Sequence, residues 1–144
     1  MKMTNKEYSA YVRKKSPKSK LAPDLLKAFA AGGLICCLGQ GTLLLYRALG
    51  LGEQEAAAAE SISLIFLGAL LTGVGVYDDL AKFGGAGTLV PITGFANAVV
   101  APALEFKSEG FVLGMSAKMF VIAGPVIVFG VSASVVYGLI LAMV

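Results

Sequence analysis

From Phe83 to Leu104 the chain reads FGGAGTLVPITGFANAVVAPAL, 22 residues without a charge and yet poor in helix formers. Length and apolarity place this stretch at membrane depth. Gly84, Gly85, Gly87, Pro91, Gly94 and Pro102 rule out one smooth helix. In hydrocarbon every backbone N–H and C=O needs a partner, so irregular backbone survives only where it is buried in protein or lines a wet cavity. The segment is therefore expected to be a broken or re-entrant element at the centre of a multi-helix membrane protein.

Composition agrees with the membrane class. Of 144 residues 57% are hydrophobic and 15% charged, and the mean hydropathy is +0.80, against about half apolar and a quarter charged in a soluble domain. The fold class expected is all-α and integral to the membrane, with about four membrane-depth segments near 28–47, 57–77, 84–104 and 119–143 in one domain over 28–144. Histidine is absent and the cysteines are two, Cys36 and Cys37. A zinc cage or histidine acid–base chemistry therefore has no ligands to draw on, and neither an enzyme nor a cofactor is expected. The cysteines read as small, reduced packing residues.

Residues 1–27 form a polar leader with eight Lys or Arg against Glu7 and Asp24, while the remainder of the chain is net acidic. This asymmetry puts the N-terminus on the cytoplasmic side. The Arg13-Lys14-Lys15 run reads as a topology signal and an attraction to anionic lipid rather than a docking site for a partner; nucleic acid is not expected. Tyr8, Tyr11 and Val12 share a face of a short surface helix.

The first span covers Ala28 to Tyr46, where Gly33, Cys37 and Gly41 recur every four residues as a small face for a neighbouring helix. Gln40 near its middle suits an interhelical hydrogen bond better than a permeation path. After an acidic loop the second span runs from about Ala56 to Tyr77, with Glu60 near enough to its start to sit at the interface. Asp78 and Asp79 follow. Two carboxylates are too few for a calcium site, so a solvated helix end with an Asp–Lys contact is expected, the pair lining a vestibule together with Glu105 and Lys118. The Gly84–Thr88 run lacks the GK[ST] ending and a preceding strand, which excludes a phosphate loop.

The apolar run from Phe111 to Val144 would be about 51 Å long as one helix, more than the roughly 30 Å of hydrocarbon. Either Phe111–Lys118 lies along the surface, the preferred reading, or the helix bends at Gly124-Pro125. Gly130, Ser134 and Gly138 offer a second small-residue packing face. Whether 83–104 crosses the membrane or returns decides whether the termini share a side.

The stretch AKFGGAGTLVPITGFANAVVAPALEFKSEGFVLGMSAKMFVIAGPVIVFG, Ala81 to Gly130, resembles the signature of the spore stage V AC and AE-b membrane protein family. The leader SPKSKLAPDLLKAFAAGGLICCLGQ resembles the AC type more than the AE-b type. The resemblance implies a multi-pass protein of the forespore and spore inner membrane, its N-terminus facing the spore core. It implies a subunit of the complex that moves dipicolinic acid with calcium inward during sporulation and outward at germination, pore-forming and responsive to tension. The implied partners are membrane lipid, the AE-b paralogue and the soluble, dipicolinate-binding AD subunit.

Two roles follow for the central element. As a conduit it would expose backbone groups to a wet path, with Thr88, Thr93 and Asn97 adding side-chain polarity and Gly84, Gly85, Gly87, Pro91 and Pro102 forming a hinge or constriction. As part of a non-conducting anchor it would serve to assemble other subunits. In the conduit reading, alanine at the three glycines is expected to raise helicity and straighten the break without disturbing insertion.

Overall fold

The computed structural model describes residues 4–16 and 20–143, and all the regular structure among them is helical. Helix α1 (Asn5–Lys15) is opened by a reciprocal cap: the Glu7 N–H donates to Thr4 Oγ1 at 3.4 Å and the Thr4 N–H to Glu7 Oε2 at 2.9 Å. That pair satisfies two of the donors a helix start leaves open, and the bond from the Thr4 N–H holds the Glu7 carboxyl below its ordinary pKa. Tyr8 and Tyr11 lie exposed on α1.

Helix α2 spans Leu21–Ala48, so it starts seven residues ahead of the expected Ala28. The leader's end suits a first turn, with Pro23 where no N–H partner is missed and Asp24 at the positive end of the dipole. A tight turn at Leu49–Gly52, with Gly50 at φ +93, leads into α3 (Glu53–Gly73). The two helices are antiparallel. Gly39 meets Glu60 and Leu64, Tyr46 Oη lies 2.7 Å from Ser63 Oγ, and Arg47 pairs with Glu53 at 2.8 Å beside the turn.

The second span stops at Gly73 rather than Tyr77, because the chain turns at Val74-Gly75, the glycine taking φ +79. Tyr77, Asp78 and Asp79 instead open a short helix, α4 (Val76–Gly84). A 3-10 turn over Gly85–Leu89 follows, then α5 (Pro91–Glu105). Helix α5 runs alongside α3 in the same sense: Thr93 and Ala96 pack on Gly68, Asn97 meets Thr72, and Leu104 and Glu105 share a cavity with Thr72 and Asp78. The segment from Val76 to Glu105 thus leaves the end of α3 and comes back to that end, which is a re-entrant path.

From there a short 3-10 turn (Lys107–Glu109) and Gly110 at φ +100 launch the last helix. Phe111–Ser116 is in π register and continues without a break into α6 (Ala117–Met143). The expected separation of a surface piece at Lys118 is therefore not present, and Pro125 lies inside the continuous helix. Lys118 is accommodated because its Nζ sits 4.6 Å above the Phe106 ring, where the ring face attracts the cation.

Among the described residues three helices, Leu21–Ala48, Glu53–Gly73 and Phe111–Met143, are long and apolar enough to cross a membrane. The chain is an all-α membrane protein with a small core: Leu64, Tyr77, Thr88, Thr93, Ala96 and Ala123 are buried, while the large aliphatic and aromatic side chains of α2, α3 and α6 mostly face outward. If these three helices of the described residues cross and the central segment returns, α1 and the end of α6 lie on opposite sides of the membrane. With Cys36 and Cys37 replaced, a cysteine at Tyr11 and one at Met143 should react with an impermeant thiol reagent from opposite faces of sealed vesicles. Labelling of both from one face would mean that the central segment crosses.

Candidate functional site

The break is built by four residues with separate jobs. Gly85 takes φ +50, a backbone that a side chain disfavours. Val90 is extended at ψ 127 ahead of Pro91, as the clash with a following proline ring demands. Pro91 then sits at the first position of α5, where its missing N–H costs no helical bond. Thr88 ties the turn together, its hydroxyl donating to the Gly85 carbonyl at 2.9 Å.

Helix α2 covers this break. A Cβ at Gly84 would stand 2.6 Å from the Ala31 methyl, and one at Gly87 would collide with the Ala28 carbonyl and lie 2.8 Å from its Cα. Across the same contact a Cβ at Gly32 would be 3.2 Å from the Gly87 carbonyl oxygen. Two backbones therefore meet with no side chain between them. Tyr77 completes the closure, its buried hydroxyl donating to the Thr88 carbonyl at 2.7 Å. The expectation that alanine at Gly84 and Gly87 straightens the break without other cost is corrected here, since neither site has room for a methyl group while α2 stays in place.

Two cavities adjoin the break. The first, about 420 Å³, is walled by α2 between Ala30 and Leu38, by α3 between Leu64 and Leu71 and by Tyr77, Leu80 and Phe83 of α4. Thr88 and Thr93 reach its wall, but the Thr93 hydroxyl is turned to the Val90 carbonyl at 3.4 Å. The second, about 430 Å³, lies at the end of the bundle between Thr72, Asp78, Asn97 and Glu105. There the Thr72 hydroxyl stands 2.7 Å from the Gly68 carbonyl and 2.9 Å from Asn97 Oδ1. The structure thus brings Asp78, Glu105 and Asn97 together, and separates them from Thr88 and Thr93. Asp79 shares Lys82 with Asp78, at 3.3 and 2.7 Å, the expected Asp–Lys contact, and hydrogen bonds to both carboxylates raise the Lys82 pKa. Pro102 lies within α5, its carbonyl accepting the Phe106 N–H at 3.0 Å.

The proposed small-residue faces point elsewhere. Among the described residues, no atom beyond the helix's own nearby backbone lies within 4 Å of a Cβ built at Gly33, Gly41, Gly130 or Gly138, and Cys37 and Ser134 are exposed. Within the chain the helices meet instead at Gly32 and Gly39 of α2, Gly68 of α3 and Gly84 and Gly87 at the break. Gln40 is exposed as well, while Glu60 lies along α2 with Oε1 beside Gly39. The spacing Ala28, Gly32, Ile35, Gly39 carried the signal for the true contact face; the adjacent series from Gly33 concealed it.

A model of the SpoVAC/SpoVAEB sporulation membrane protein family matches residues 24–140. Among curated proteins, Stage V sporulation protein AC of Bacillus subtilis (strain 168) is 46% identical over 141 residues, covering 96% of this chain and 94% of that protein. No solved structure matches.

The backbone contact makes a reciprocal prediction. Gly84→Ala should destabilise the purified protein by about 1–3 kcal/mol through overpacking, and Ala31→Gly, which removes the opposing methyl, should restore most of the loss. Thermal melts of the four species in one detergent would measure the coupling; additive effects would show that the two sites do not touch. Tyr77→Phe should cost about 1–3 kcal/mol in the same assay by leaving the Thr88 carbonyl unpaired.

Proposed function

The chain belongs to the SpoVAC/SpoVAEB sporulation membrane protein family, and from that premise we propose that it is a channel-forming subunit of the SpoVA complex. In this reading it sits in the forespore and spore inner membrane with its N-terminus toward the core. It moves dipicolinic acid with calcium inward during sporulation and outward at germination. Its companions are the AE-b membrane paralogue and the soluble AD subunit.

The observation that carries the reading is the start of α5. This helix begins inside the bundle, at the break, and Val90 gives it no side-chain cap. The positive end of a helix dipole therefore lies at membrane depth beneath α2, where the dielectric is low and the field little screened once α2 moves aside. Half-helices that meet at an interruption present this end to anionic cargo in transporters, and dipicolinate is a dicarboxylate. Asp78 and Glu105 at the outer cavity supply charge of the sign that suits the accompanying cation.

A response to tension has a physical route in the same place. Lateral tension favours whichever state occupies more membrane area, and α2 is held over the break by a glycine contact with no interlocking side chains. Separation of α2 from Gly84 and Gly87 widens the bundle and uncovers the N-terminal end of α5.

Purified protein in liposome patches should pass current that grows with applied suction, and vesicles loaded with calcium dipicolinate should release it on osmotic swelling. Gly32→Ala, which crowds the Gly87 carbonyl, should lower the tension at which current appears. A folded, inserted protein that passes no current at any tension short of rupture, alone or with its AE-b partner, would overturn the channel reading and leave the assembly anchor.

A further inference from the structure

The apolar cavity between α2, α3 and α4 has no use in that reading, and its chemistry is distinct from the polar mouth near Asp78. At about 420 Å³ it has the volume of roughly a dozen waters. A buried water needs two to four polar partners, and here the hydroxyl protons are spent: Tyr77 donates to the Thr88 carbonyl, Thr88 to that of Gly85 and Thr93 to that of Val90. The other walls are aliphatic or aromatic. The space suits hydrocarbon and excludes a carboxylate or a hydrated ion.

Its position adds a second constraint. The α2 wall from Ala30 to Leu38 covers about 12 Å of helix axis and runs from the end of the bundle toward the membrane interior. At the outer rim, Phe83 both lines the cavity and carries the Lys27 ammonium, which stands 5.5 Å from its ring centroid. No carboxylate lies within 4 Å of Lys27 among the described residues. A cation at the level of the headgroups with an apolar slot leading inward from it has the charge and polarity order of one phospholipid molecule.

We propose that this cavity holds an acyl chain of an anionic membrane phospholipid whose phosphate pairs with Lys27. The tail fills the gap between α2 and the re-entrant segment, and the headgroup rests on the Phe83–Lys27 rim. The site depends on insertion into a bilayer and is independent of whether the protein conducts.

The full chain is reconstituted in nanodiscs containing phosphatidylglycerol with a photoactivatable diazirine in its acyl chain, or phosphatidylcholine with the same chain, and crosslinked peptides are mapped by mass spectrometry. Crosslinks from phosphatidylglycerol should concentrate on Ala30–Leu38, Leu64–Leu71 and Phe83. Ala30→Phe and, as a second filling variant, Leu34→Phe should remove most of that labelling while leaving labels on the outer face of α6 at Val128 and Phe129 unchanged, which also reports that the protein is folded and inserted. Lys27→Gln should lower the preference for phosphatidylglycerol over phosphatidylcholine about fivefold, the weight of one basic residue at an anionic surface. Labelling spread evenly over all outward helix faces and insensitive to both filling variants would overturn the proposal. Cavity labelling equal for the two lipids and unaffected by Lys27→Gln would overturn the headgroup assignment.

Discussion

Much of this molecule depends on one contact between two backbones, that of Gly87 against α2 at Ala28 and Gly32. A chain that breaks its helix at membrane depth must bury the break in protein, because hydrocarbon offers no hydrogen bonds. A glycine on each side lets α2 lie directly on the turn. The second tight contact along α2 is Gly39 against Glu60 and Leu64 of α3. Between these two approaches α2 carries Leu34, Ile35 and Leu38, which cannot come as close, and the apolar cavity is the space that results.

The placement of the break was legible because its causes are local. A glycine cluster followed by Val90-Pro91 forbids a continuous helix whatever surrounds it. The existence of apolar helices long enough to span was legible for the same kind of reason, since such runs must be buried or lipid-facing, but their ends were not: α2 starts at Leu21, α3 stops at Gly73 and the last helix begins at Phe111. The return of the central segment to the side it came from was not, because crossing and re-entry use the same residues and differ only in whether α5 runs with α3 or against it. The packing face of α2 was hidden by its own richness in small residues. The Gly32 and Gly33 series are adjacent in sequence and about 100° apart around the helix, and either gives a smooth stripe. Choosing between them needs the partner, and that partner is a turn some 55 residues further along the chain.

Some small-residue stripes have no partner among the described residues. Gly33, Gly41, Gly130 and Gly138 stand on outward faces, and the residues of α6 beyond Ala123 are mostly exposed. In a bilayer such faces are covered by lipid tails or by other membrane helices, for which small residues permit close approach. The core within the chain is correspondingly thin, and the break is held chiefly by α2 and by the Tyr77 hydrogen bond rather than by bulk.

Helix α2 has 28 residues, about 42 Å of axis against a hydrocarbon thickness of about 30 Å. Its surplus is the stretch from Leu21 to Lys27, which carries Asp24 and Lys27, and no proline interrupts the helix after Pro23. The same rod that touches Gly87 therefore projects beyond the bilayer as a lever arm with no joint between the two. A lateral load applied near its outer end is transmitted as torque to the contact at Ala28, so that whatever grips Leu21–Lys27 also bears on the turn that α2 covers.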